Sequence, residues 1–134
     1  MQGGRIALSE LLKLIATGKF LFLLGMATTY TASPEAPLYC DQFFPDQTLT
    51  YGGVAEPWVA LDMNLYSGWA EPGEMLVIYF EDGTLIKARA LDAGRFGGRW
   101  VGDHPELPIV VDIPKWLAPQ GATSWPVIVM KATQ

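Results

Sequence analysis

Met75-Leu76-Val77-Ile78-Tyr79-Phe80, then Glu81-Asp82-Gly83, then Thr84-Leu85-Ile86-Lys87-Ala88-Arg89-Ala90 is the stretch on which the fold turns. Two apolar runs separated by a short Asp-Gly segment predict a β-hairpin, because glycine supplies the positive φ that such a turn needs. The second run alternates, with Lys87 and Arg89 on one face and Ile86, Ala88 and Ala90 on the other, so one side of the hairpin is predicted to be dry. Outward from the hairpin, strands are predicted at 19–24, 27–32, 57–62, 75–80, 84–91, 109–113 and 126–131. Short apolar or alternating runs divided by Gly and Pro predict a mainly β domain.

The rest of the chain bounds the possibilities. At 134 residues one domain is the default, long enough to bury a real core. A net charge of −5 and a pI near 4.7 exclude a nucleic-acid partner, which would need clustered Lys and Arg. The single cysteine, Cys40, excludes an internal disulfide and a cysteine-based metal cluster. Residues 33–51 and 93–108 read as loops, rich in Pro and aromatic residues in the first case and in Gly in the second. Before the strands, residues 6–17 place Leu8, Leu11, Leu12 and Ile15 on one helical face, with Gly18 as a C-terminal stop. The alternative for this N-terminal segment, residues 1–25, is a signal peptide whose apolar part is interrupted by Lys13 and Lys19. It is too broken for a membrane span, and is a candidate surface for protein assembly partners.

In chain order, Ala27-Thr28-Thr29-Tyr30-Thr31-Ala32, Val59-Ala60-Leu61-Asp62, Ala90-Leu91-Asp92-Ala93-Gly94 and Val110-Val111-Asp112-Ile113 resemble the segments of the three-aspartate domain. That family is named for one aspartate in each of the last three, and Gly73 and the final run Val127 to Met130 match it as well. The resemblance covers the chain from about residue 26 to 134. It implies a six-stranded double-psi β-barrel, preceded here by the N-terminal helix, of the kind shared with membrane-bound lytic transglycosylase A and, more distantly, expansins. Carried over by position, Asp112 matches the aspartate taken as catalytic, Asp92 its partner and Asp62 the first of the three. Thr29 and Tyr30 match the strand that lines the substrate groove.

What the resemblance implies is cleavage of peptidoglycan glycan strands without a cofactor, in the extracytoplasmic cell wall or on a phage virion. One carboxyl group can protonate the glycosidic oxygen and then take the proton of the sugar's own 6-hydroxyl, provided that an apolar wall or a like charge keeps it protonated at first. Asp112, between Val111 and Ile113, fits that role. The alternative is a structural or glycan-binding barrel without chemistry, in a phage particle or another assembly or as an expansin-like wall binder, since fold alone does not carry activity. Two departures bear on this choice. Residues 95–108 form an insertion that holds Trp100, Asp103, His104 and Glu106, and the usual Asp-Thr-Gly-Gly reads Asp92-Ala93-Gly94-Arg95. Arg95 and Trp100 are thereby candidate substrate contacts, with Arg99, Trp58 and Trp69 as further ones; each also reads as a solvated arginine or a core tryptophan. Asp62 reads equally as a loop-stabilising residue. His104 has too few nitrogen or sulfur neighbours in sequence to suggest a metal site.

Overall fold

The computed structural model describes residues 20–32, 38–44, 57–96 and 107–132. Its strands in chain order are β1 (Phe20–Tyr30), β2 (Trp58–Asp62), β3 (Met75–Phe80), β4 (Leu85–Gly94), β5 (Ile109–Pro114) and β6 (Ser124–Ala132). The hairpin is β3–β4, with Met75 opposite Arg89 and Tyr79 opposite Leu85. Gly83, at φ 91°, turns the chain, and the Asp82 carboxylate accepts the Thr84 N–H at 2.8 Å. Ile86, Ala88 and Ala90 are buried while Lys87 is exposed, as the alternation requires.

The runs predicted at 19–24 and 27–32 are one strand. β1 pairs with β6 from Phe20 opposite Ala132 to Thr28 opposite Ser124, so residues 20–25 belong to the sheet rather than to an N-terminal segment ending at 25. Gly25 reads as a breaker in sequence, yet it lies buried within β1. The helix expected over 6–17 lies outside the described residues.

Hydrogen bonding closes the sheet into a barrel in the order β1-β5-β2-β4-β3-β6. The β1–β5 and β2–β4 pairs are parallel and the other four antiparallel. The antiparallel β2–β5 pair is thus flanked on each side by a parallel pair. Inside, alternate residues such as Val59, Leu61, Ile78, Ala90, Val111 and Val129 form the main core.

Each parallel pair contains one extra residue. From Met26 opposite Ile109 to Ala27 opposite Val111, β5 advances two positions while β1 advances one, so Val110 is the extra residue. From Val59 opposite Ala90 to Ala60 opposite Asp92, the extra residue is Leu91 of β4. A bulge sends every following side chain to the opposite face. Continued alternation from Ile86, Ala88 and Ala90 would aim Asp92 into the core, and Leu91 turns it outward. In β5, Val110 likewise lets Val111 and Ile113 face inward and Asp112 outward.

The bulge in β5 has to be accommodated next door. A Cβ on Gly25 would stand 2.6 and 2.7 Å from the two methyls of Val110 and 2.9 Å from the Pro108 carbonyl oxygen, so only glycine fits there. Outside the barrel, a 3-10 helix, Tyr39–Phe43, lies over β4 and seals Leu38, Cys40, Trp58 and Leu91 into a second apolar cluster. The Cys40 thiol is fully buried and donates to the Ala90 carbonyl at 3.4 Å. Burial pushes it from 9.0 up to about 11, with the Tyr66 hydroxyl partly opposing that rise.

Gly25→Ala is expected to cost roughly 1–3 kcal/mol in chemical denaturation, the usual range for overpacking, and Val110→Ala in the same chain should recover part of it. A Cys40 thiol raised in the folded state stabilises fully below pH 9 and loses that contribution as the pH climbs from 9.0 to about 11. The loss is on the order of 2–3 kcal/mol. Cys40→Ala should flatten this alkaline limb when melting temperature is followed against pH.

Candidate functional site

Strand register lines up the acidic residues. Thr28 of β1 pairs with Asp112 of β5, Asp112 with Ala60 of β2, and Ala60 with Asp92 of β4. Directly paired residues share a face of the sheet, so these four form a row across four adjacent strands on the side away from the main core. At its centre, between the two carboxyl-bearing strands, stands Ala60, which is buried at 4% exposure. Neighbouring strands lie roughly 4.8 Å apart, which puts the two aspartate backbones about 10 Å from each other.

Both carboxylates are held as acceptors. Oδ1 of Asp112 accepts from the Thr28 hydroxyl at 2.9 Å. Oδ1 of Asp92 accepts the Tyr39 N–H at 3.1 Å, and its Oδ2 accepts from the Tyr30 hydroxyl at 3.2 Å. The Asp92 carbonyl oxygen accepts from the Tyr66 hydroxyl at 2.7 Å. Burial first, and the adjacent Cys40 second, drive the Tyr66 phenol far above its usual range, so it remains a donor throughout the physiological pH range. Asp92 is therefore fixed through both its side chain and its main chain, and the 3-10 helix over β4 supplies part of that hold.

The other residues singled out in the sequence fall in different places. Asp62 is 8% exposed, and its Oδ1 accepts the Asn64 N–H at 2.9 Å, capping the 3-10 helix Met63–Ser67. It pairs with Gly94, two residues along β2 from the acidic row. Thr29 donates its hydroxyl to the Ile113 carbonyl at 2.7 Å, and the hydroxyl that meets Asp112 is that of Thr28. Arg95 is exposed just past the end of β4. Trp100, Arg99 and His104 lie outside the described residues. Trp58 is 3% exposed, which agrees with the core alternative of its reading. Trp69 is partly buried, with the Lys131 ammonium 5.7 Å from its ring centre.

Thr28, Tyr39 and Tyr66 were not singled out in the sequence. Thr28 was within reach of period-2 reasoning, since it shares a face with Tyr30. Tyr39 acts through its main-chain N–H, which carries no residue signature. Tyr66 becomes visible only once the 3-10 helix containing it is placed beside β4.

No protein-family model matches the chain, and no curated protein matches it. Among solved structures it is similar to an expansin of Clavibacter michiganensis. An aspartate-to-asparagine mutant of that expansin, in complex with cellohexaose, has a TM-score of 0.54 and 20% identity over 84% of this chain and 51% of the expansin chain. The apo expansin gives 0.54 and 18% over 85% and 52%. The chain thus spans about half the length of these structures. At this identity the likeness shows the fold: this mainly β, six-stranded domain has the architecture found in the expansin.

Proposed function

We propose that the domain binds a glycan strand of the cell wall, peptidoglycan foremost, along the row Thr28, Asp112, Ala60 and Asp92. One observation carries this reading: the register sets two partly exposed carboxylates on one outward face, two strands apart, each already an acceptor for a neighbouring hydroxyl. Sugar hydroxyls are donors repeated along a chain, and ionised carboxylates are the strongest acceptors a protein can set against them. The expansin likeness, with cellohexaose bound to one neighbour, points the same way. In this reading the barrel is of the double-psi type, supported by the two bulged parallel pairs that flank β2–β5. The three-aspartate resemblance at Asp62, Asp92 and Asp112 favours a wall polymer. The place of action is then the extracytoplasmic wall or a virion that meets it.

Cleavage is the second reading, and the position of Asp112 favours one form of it. A double displacement needs carboxyl groups about 5–5.5 Å apart. Here the backbones start about 10 Å apart, and Thr28 draws the Asp112 carboxylate toward β1, the strand on its far side from β2. A one-carboxyl lytic reaction at Asp112 needs no such closeness.

Retention on insoluble sacculi should fall about tenfold or more in Asp112→Asn and in Asp92→Asn, the scale of a lost charged hydrogen bond. Sedimentation of the bound fraction measures it, and wild-type retention in both variants would defeat the assignment of the site. Chromatography of the supernatant separates the two readings. Binding alone releases no soluble muropeptides, whereas lytic action releases anhydro products that disappear in Asp112→Asn.

A further inference from the structure

We infer that Trp116 forms an aromatic subsite on which a sugar ring of the same glycan stacks, next to the acidic row. The inference rests on the proposed glycan reading and extends it along the strands. One pleat from the row, about 7 Å along the strands, lie Tyr30 of β1 and Pro114 of β5, which are paired in register. Trp58, two residues before Ala60 on β2, stands on the same face. Its ring is 6.4 Å from that of Tyr30 and meets the ring of Trp116 edge-on, at 5.7 Å and 74°. A line of ring contacts therefore runs from Tyr30, whose hydroxyl holds Asp92, through buried Trp58 to Trp116.

Trp116 is the most exposed member of that line, at 38%, while Tyr30 is partly buried and Trp58 buried. The short turn that carries it is anchored on both sides. The Lys115 N–H donates to the Tyr30 carbonyl at 2.9 Å, the Leu117 N–H donates to the Pro114 carbonyl at 2.9 Å, and the Leu117 side chain enters the main core. Edge contact with Trp58 fixes the indole further. A large aromatic surface held in place loses little freedom on binding, which is what a stacking platform for the apolar face of a pyranose requires.

Wild type, Trp116→Ala and Trp116→Phe are to be compared by sedimentation with sacculi and with cellulose, and by tryptophan emission during titration with cellohexaose and with an N-acetylglucosamine oligomer. Trp116→Ala should reduce retention about three- to tenfold, and Trp116→Phe, which keeps a ring against Trp58, less than threefold. Addition of oligosaccharide should change the wild-type emission, and Trp116→Phe should lose most of that change while still binding. If wild type binds and Trp116→Ala binds equally well, the subsite is refuted and the acidic row stands. If wild type binds neither polymer, both fall. Should Trp116→Ala fail to fold, an emission change preserved in Trp116→Phe would refute the subsite.

Discussion

One extra residue in each of two strands decides where the acid groups of this barrel point. Leu91 and Val110 interrupt β4 and β5 just before the aspartates, and without them the pleat would drive Asp92 and Asp112 into an interior built of Val, Ile, Leu and Ala. Two carboxyl groups sealed in such a core would cost several kcal/mol each. Turned outward, they become paired, partly exposed acceptors. Other features of the neighbourhood follow from this. Gly25 is bare because Val110 needs its space, and Leu91 supplies the apolar surface on which the 3-10 helix over β4 sits.

That helix links packing to the site. Cys40 and Leu38 hold it down by burial, and its first residue, Tyr39, then presents a main-chain N–H to Asp92. Tyr66 adds a hydroxyl from the other short helix. Asp92 is thus held through its side chain and its main chain alike. Asp112, which accepts from Thr28, stands on the opposite side of β2, with Ala60 between them.

Most strands were legible in the sequence because they are apolar or alternating runs bounded by Gly or Pro. Gly25 misled because a glycine inside a strand reads as a break unless the neighbour that presses on it is known. Asp92 and Asp112 were legible through motif resemblance. Their outward aim was written in the doubled apolar residues Ala90-Leu91 and Val110-Val111, where simple alternation fails just ahead of each aspartate. Thr28 differs from Thr29 only by the face it occupies, and a strand's phase is hard to fix from its own sequence when a bulge lies in its partner. Contacts made by the main chain, such as that of Tyr39, have no residue type by which to be found.

Closure of the ring carries a consequence for how such a protein can change partners. With each of the six described strands bonded to a neighbour on both sides, none of them is a free edge strand on which a ligand could extend the sheet. Recognition falls to side chains standing on a fixed frame. Selectivity on such a frame can drift by single substitutions at the surface while the hydrogen-bonded skeleton beneath stays as it is.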